Sequence, residues 1–288
     1  MNAVFLLLLP VAHSIALRAA WGRAIGVVGP VVHHIVEPHQ LQATTLDRLT
    51  NVAIPSDEGR SVLAFAARPA DESTGPRPVL VLLHEFFGLR ESVVDKAQGL
   101  ADELGCLVVA PDVFRGVTTD FIPRAIWLAL STPQPRVNAD IDAVLRWAAA
   151  QDDCDAERVA VMGFCFGGGK AIGYTTQARR DAATVVFYGA PVTDVASLRG
   201  LASPVCGCYG ADDAQFPQFV VDGFRDALEE AGVEHTVVSY DGVGHAFWKD
   251  MAQIARQEAP QTEAWQLATG FLRAFFERKQ ASVGEAEG

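Results

Sequence analysis

The chain has 288 residues, of which half are hydrophobic and a fifth are charged, and its formal net charge is −12 at pH 7. This composition excludes a largely disordered chain. The acidic balance argues against nucleic acid or an anionic membrane surface as the main partner, because both require basic patches. Five cysteines in a chain of this length are not expected to form a disulfide framework.

The first 40 residues are predicted to be a targeting leader. Residues 1–36 contain no Asp or Glu, and residues 4–9 form an apolar run that resembles a signal-peptide core but is too short to span a bilayer. Arg18 and Arg23 follow in a stretch typical of organelle transit peptides. We therefore expect a secretory signal, or a bipartite leader to a plastid, and no stable membrane anchor. A misassigned start codon is the alternative.

Residues 44–279 are predicted to form one α/β domain, with a mainly parallel sheet and helices on both faces. Apolar runs predict strands at 61–67, 79–83, 106–110, 159–162, 184–188, 205–209 and 236–240, the first of them an antiparallel edge strand. Apolar stripes of helical period predict core-facing helices over 93–104, 137–148, 219–228 and 264–275. Residues 70–78 are expected to be a loop, and residues 280–288 a frayed polar tail.

The most informative segment is Val159-Ala-Val-Met-Gly-Phe-Cys-Phe-Gly-Gly-Gly169, an apolar strand that ends in G-x-C-x-G. This is the nucleophile-elbow pattern, in which a sharp turn from strand to helix leaves no room for side chains beside the nucleophile. Cys165 occupies the central position. A helix N-terminus favours a thiolate there. The alternative interpretation is a buried cysteine in a glycine-rich turn.

An acid and a histidine follow the elbow in the order that this pattern requires. Asp212 and Asp213 come directly after the strand predicted at 205–209, and His245 comes in a glycine-bearing loop after the strand predicted at 236–240. Taken singly, each could be an ordinary loop residue. Their order and their positions at strand ends together favour a nucleophile, histidine and acid set.

With these residues in place, the chain from residue 63 to residue 276 resembles the dienelactone hydrolases (carboxymethylenebutenolidases), which have the α/β-hydrolase fold. The resemblance rests on GFCFGG at 163–168, HEFFGL at 84–89, GADDAQFP at 210–217 and GHAF at 244–247. It implies a catalytic triad of Cys165, Asp213 and His245. Asp213 is preferred over Asp212 because it aligns when the flanking glycine and proline are matched.

The resemblance also implies a mechanism, in which acyl transfer to water proceeds through a thioester without cofactor or metal. In this family the glutamate that matches Glu85 contacts the cysteine and takes its proton when substrate binds. The backbone N–H groups of Phe166 and Phe86 are expected to form the oxyanion hole. The expected activity is hydrolysis of a small ester or lactone by a monomeric carboxylic ester hydrolase.

Substrate recognition is predicted less narrowly. In the family's best-known activity two arginines bind the carboxylate of dienelactone; here Lys249 stands at one position and Arg124 is the candidate for the other. A lysine supplies charge without the bidentate fork of a guanidinium, and a solvated helix charge is an equally good interpretation of Arg124. Phe87, Phe247 and Trp248 predict a more apolar pocket. Both a carboxylated lactone and a broader small ester stay open.

Two other functions are weighed against the hydrolase. In a thiol-based redox protein, Cys165 would need a resolving partner, for which only Cys206 or Cys208 could serve. These two share one strand face, whereas Cys106 and Cys154 are predicted to be packing residues, and no set of metal ligands is completed. A non-catalytic binding module is disfavoured, because every triad position holds a competent residue.

Overall fold

The fold is described from a computed structural model, which covers residues 48–57, 59–71 and 75–286, with side chains described as far as residue 282. The leader predicted at residues 1–40 lies outside this part of the chain. Among the residues described, no helix is both long and apolar enough to cross a membrane.

The described residues form one sheet of eight strands in the order β1-β2-β4-β3-β5-β6-β7-β8. Strands β3 to β8 pair in parallel, whereas β1 and β2 are antiparallel to their neighbours. In chain order the strands are Val52–Ile54 (β1), Val62–Ala67 (β2), Arg77–Leu83 (β3), Leu107–Pro111 (β4), Cys154–Phe164 (β5), Ala183–Phe187 (β6), Val205–Gly210 (β7) and His235–Tyr240 (β8).

Helices follow most strands and cover both faces of the sheet. They are Glu91–Leu104 (α1), Ile122–Ser131 (α2), Gln134–Ala149 (α3), Phe166–Gln177 (α4), Val195–Leu198 (α5), Gln218–Ala231 (α6), Met251–Ala255 (α7) and Gln261–Ala286 (α8). Helices α1 and α8 pack on one face, and α3, α4 and α6 pack on the other. The alternating pleat of β3 supplies both cores, since Leu80 and Leu82 face α1 and α8 while Val79 and Val81 face α3.

The predicted strands and helical stripes all match elements of the structure, and α1 and α6 end at Gly105 and Gly232, both in the left-handed conformation. Three details were wrong. Strand β2 is antiparallel but is not the edge, because the short strand β1 pairs with its outer side. Helix α8 continues through the predicted tail to Ala286. Phe219, predicted to face the core, is exposed.

The junction of β5 and α4 is too tight for side chains at two glycines. A Cβ on Gly163 would lie 2.2 Å from the carbonyl group of Gly167, and a Cβ on Gly167 would lie 2.4 Å from the carbonyl oxygen of Leu83. Cys165 lies between them with φ 51° and ψ −112°. Such a backbone conformation costs on the order of 1–3 kcal/mol and persists only where the surroundings fix it.

We therefore expect Gly163→Ala to lower the free energy of unfolding by about 3 kcal/mol through overpacking against backbone. The matched control is Gly270→Ala on α8, where an added Cβ meets nothing within 4 Å. This control should raise stability by about 0.5–1 kcal/mol, because alanine favours the helix. Urea titrations of both variants measure the difference, and equal stabilities would contradict the tight junction.

Candidate active site

The carboxyl ends of the parallel strands bring the predicted site residues to one edge of the sheet. Cys165 follows β5, Glu85 follows β3, Asp213 follows β7 and His245 follows β8. Loops beyond these strand ends are where open α/β sheets bind ligands. The structure thus brings together residues that are up to 160 positions apart in the chain.

The Cys165 sulfur lies at the end of a chain of two hydrogen bonds. Nε2 of His245 is 3.0 Å from Sγ of Cys165, and Nδ1 of His245 is 2.8 Å from Oδ2 of Asp213. The other oxygen of Asp213 accepts hydrogen bonds from the backbone N–H groups of Gln215 at 2.7 Å and Phe216 at 3.1 Å. Both carboxylate oxygens of Asp213 are therefore occupied, and the imidazole is oriented toward the thiol.

These bonds also set the charge state of the pair. Burial acts to lower the pKa of His245, but the hydrogen bonds to Asp213 and Cys165 outweigh it and raise that pKa to about 10. Burial acts in the opposite direction on Asp213, whose pKa is nevertheless lowered by the His245 hydrogen bond and the two backbone N–H groups. The raised pKa keeps His245 protonated at neutral pH, so an imidazolium lies against the Cys165 sulfur.

Glu85 does not bond to the cysteine in this structure. Its Oε1 accepts a hydrogen bond of 3.1 Å from the Tyr188 hydroxyl, which also lies 3.0 Å from the carbonyl oxygen of Trp248. The buried ammonium of Lys96 donates to the carbonyl oxygens of Trp248, at 3.1 Å, and Lys249, at 3.0 Å. Burial lowers the pKa of Lys96 to about 8, although the charges of Glu85 and Asp250 oppose this. Sequence reasoning missed Lys96 and Tyr188.

A cavity of about 250 Å³ opens above the sulfur. Its wall is mainly apolar, and its polar side chains include Gln134, Gln215 and Lys170. Sequence reasoning also missed Lys170, whose ammonium donates to the carbonyl oxygen of Thr132 at 2.9 Å. The described lining residues are Phe86, Ile126, Ala129, Leu130, Gln134, Cys165, Phe166, Gly169, Lys170, Ala190, Gln215 and Phe216.

Phe86 and Phe166, the predicted oxyanion-hole residues, both line this cavity next to Cys165. Phe166 is the first residue of α4, so its N–H is one of those that a helix leaves without an internal partner. His84, which precedes the Glu85 loop, is buried against Phe114 and lies near Phe166. Burial lowers the pKa of His84 to about 4, so this histidine is a neutral packing residue.

The five residues predicted to bind substrate are not among the described residues that line the cavity. Phe247 and Trp248 are buried in the core beneath α1 and α8. Lys249 is exposed on the outer side of the same loop, and Arg124 is half-buried on α2. Phe87 packs against Phe86 outside the wall, with the Arg90 guanidinium over its ring.

The sequence is similar to one protein family and to several of its relatives. The sequence profile described as the dienelactone hydrolase family matches residues 62–276. A protein of Salmonella typhimurium named "Putative carboxymethylenebutenolidase" is 35% identical over 228 residues, which cover 74% of this chain and 83% of that protein. A protein of Escherichia coli with the same name is 32% identical over 241 residues, covering 79% and 87% of the two chains.

Solved structures agree with the sequence matches. A crystal structure titled as a putative dienelactone hydrolase from Klebsiella pneumoniae has a TM-score of 0.66 and 32% identity, covering 77% of this chain and 96% of that chain. A thermophilic carboxylesterase cloned from a metagenomic library has a TM-score of 0.54 at 16% identity, covering 83% and 95%, and this likeness shows the fold alone.

The sheet order, the loops at its carboxyl edge and these likenesses define a carboxylic ester hydrolase of the α/β-hydrolase fold. The chain belongs to the dienelactone hydrolase family, whose members hydrolyse esters or lactones.

The raised pKa of His245 predicts how stability depends on pH. The pKa is about 6.5 in an unfolded chain and about 10 in the folded protein. The protonated histidine therefore contributes stability that is fully present below the unfolded pKa and is lost as pH rises through about 10. We expect the difference in free energy of unfolding between wild type and His245→Gln to shrink from neutral pH to about pH 10. Urea titrations across that range measure it, and a constant difference would contradict the assignment.

Proposed function

We propose that the protein is a cysteine-dependent hydrolase of small esters or lactones, acting through a thioester acyl-enzyme with Cys165 as nucleophile, His245 as base and Asp213 as the orienting acid. The observation that carries the proposal is the pair of hydrogen bonds of 3.0 Å and 2.8 Å that joins the three side chains, of which Cys165 lines the cavity. Nucleophile and base within hydrogen-bond reach, with the base oriented by a third group, are the requirements for covalent catalysis.

In the first half of the reaction the Cys165 thiolate attacks the ester or lactone carbonyl. The C–S bond forms, and negative charge develops on the carbonyl oxygen. The backbone N–H groups of Phe166 and Phe86 stabilise this oxyanion. The intermediate then collapses to a thioester, and the C–O bond to the leaving alcohol or enolate breaks. A proton held on His245 Nε2 neutralises the leaving oxygen.

In the second half a water molecule attacks the thioester. His245, now neutral, takes a proton from the water, and the oxyanion is stabilised as before. Collapse of this intermediate breaks the C–S bond, and the product acid leaves. Asp213 keeps the proton on Nδ1 throughout, so that Nε2 always faces the sulfur and the water.

Glu85 enters the proposal as a second acceptor for the thiol proton. Its carboxylate is bonded to the Tyr188 hydroxyl rather than to the sulfur in this structure, so taking the proton requires a side-chain rotation when substrate binds. A carboxylate placed permanently against the thiol would raise the thiol's pKa. Anchoring Glu85 on Tyr188 in the absence of substrate avoids that effect.

The cavity favours broad small-ester activity over strict recognition of a carboxylated lactone. Lys249, predicted to bind a carboxylate, is exposed and outside the described cavity wall. The redox alternative is disfavoured because Cys206 and Cys208, its only candidate resolving residues, are completely buried in β7. A hydrogen bond with Cys206, together with burial, raises the pKa of the Cys208 thiol and makes it a poor nucleophile.

Hydrolysis of p-nitrophenyl acetate, p-nitrophenyl butyrate and cis- and trans-dienelactone tests the proposal. We expect Cys165→Ala to lower kcat/KM by at least about 10³-fold on every substrate that wild type turns over. Cys154→Ala is the matched control, because that thiol lies at the opposite end of the same strand. Lys249→Ala should leave turnover of the neutral esters unchanged. No turnover by wild type, or full activity of Cys165→Ala, would reject the proposal.

Two adjacent carboxylates allow a sharp test of the orienting acid. Asp213 is buried and bonded to His245, whereas Asp212 is exposed to solvent. We expect Asp213→Asn to lower kcat by about 10²–10⁴-fold, because the amide would favour the wrong imidazole tautomer. Asp212→Asn should change kcat by less than about threefold, as for a surface substitution. Similar losses in both variants would contradict the assignment of Asp213.

A further inference from the structure

Exposed apolar side chains are concentrated on the helix that borders the cavity. Of the large apolar residues exposed in the described chain, four lie on α2 or directly before it: Phe121, Ile122, Trp127 and Leu130. The other is Phe219, at the start of α6. Isolated exposed apolar residues are ordinary, but a cluster beside a cavity marks a contact surface.

One face of α2 forms part of the cavity and continues beyond it. Ile126, Ala129 and Leu130 line the cavity, and Ile122 lies one turn before Ile126 on the same face. Leu130 is both a lining residue and 64% exposed, so it marks where the cavity opens to solvent. Ile122 is 42% exposed and extends the apolar face outside the wall. We call the four residues Ile122, Ile126, Ala129 and Leu130 the α2 stripe.

The α2 stripe is held in place at both ends. At the start of the helix, the Phe87 carbonyl oxygen accepts a hydrogen bond of 3.1 Å from the N–H of Thr119, and Arg90 donates to the Thr119 carbonyl oxygen at 2.8 Å. At its end, Lys170 donates to the Thr132 carbonyl oxygen at 2.9 Å and Arg136 donates to the Thr132 hydroxyl at 2.7 Å. The first of these bonds also places the half-buried Phe87 beside the start of α2.

The size of the cavity indicates which part of a substrate the α2 stripe contacts. A volume of about 250 Å³ is below the range of roughly 300–1,000 Å³ that is usual for small-molecule sites. A short ester fits within it, whereas a longer apolar arm must extend beyond the wall, past Ile126 toward Ile122. There it meets an apolar face that is otherwise in water. The net charge of −12 argues against an anionic lipid surface as the occupant.

Resting on the hydrolase function proposed above, we propose that the preferred substrates are esters with an extended apolar arm, which runs from the reacting carbonyl along the α2 stripe toward Ile122 and Phe87. The arm belongs to the acyl or the alcohol side of the ester. The α2 stripe is thus a specificity-determining surface and takes no part in the chemistry at Cys165.

The test compares chain length in two series, p-nitrophenyl acetate to octanoate and ethyl to octyl acetate, at concentrations below those at which light scattering detects substrate aggregates. We expect wild-type kcat/KM to rise at least about tenfold from the shortest to the longest member of one series, since each buried methylene is worth about fourfold in binding. Ile122→Gln should remove most of this gain. Hydrolysis of the acetate, and its loss in Cys165→Ala, reports separately on the proposed function.

Trp127→Gln is the matched control. Trp127 is on the same helix and is more exposed than Ile122, but helical spacing of 100° per residue turns it about 140° away from Ile122. It should keep the full chain-length gain. No gain in either series, a gain that Ile122→Gln retains, or an equal loss in both variants would overturn the proposal. A gain that appears only above the aggregation threshold would instead indicate docking on a lipid surface and would also overturn it.

Discussion

The approach of α4 to the ends of β3 and β5 is the constraint on which the rest of the site depends. The helix begins so close to both strands that only glycine fits at positions 163 and 167. This contact forces the positive φ of Cys165 and points its sulfur into the cavity. The same turn leaves the first N–H groups of α4 facing that space. One backbone junction therefore fixes both the thiol and half of the proposed oxyanion hole.

The histidine side of the site is fixed by a different means. The loop after β8 carries His245, and its next residues are anchored from below by the buried Lys96 and Tyr188, which both bond the Trp248 carbonyl group. A buried ammonium is costly unless its hydrogen-bonding capacity is used. Here the Lys96 ammonium donates to two backbone carbonyl groups, which offsets part of the cost of its burial and anchors the loop. The position of the His245 imidazole thus depends on Lys96, which does not bond to it.

Local sequence signals predicted most of the fold and the centre of the site. Apolar runs, helical stripes and helix-ending glycines identified seven of the eight strands, and missed β1 because three residues carry too little pattern. Cys165, Asp213 and His245 could be predicted to lie together because each follows a strand, and parallel strands end at one edge. Lys96, Lys170 and α2 gave no such signal. Their roles arise from contacts between distant segments, which spacing along the chain does not encode.

The residues predicted to bind substrate do not line the described cavity, and the local backbone gives the reason. Lys249 is the fourth residue after His245, but a separation along the chain does not fix the direction of a side chain in an irregular loop. Directly after the histidine, Ala246 has φ 56°, a left-handed backbone conformation. Phe247 and Trp248 then turn into the core, and Lys249 is left facing solvent. The direction of a side chain can be inferred from a related sequence only where a helix or strand fixes it.

The two sides of the cavity differ in how strictly their backbone geometry is fixed. The side that bears Cys165 is built from a strand end and a tight turn, whose geometry tolerates little change. The opposite side is α2, a ten-residue helix held by four hydrogen bonds at its ends. Its surface residues can be exchanged without disturbing the sheet, because only Ala125 and Leu128 of this helix are buried. Substrate range in such a molecule is free to vary on α2 while the chemistry at the strand ends stays constant.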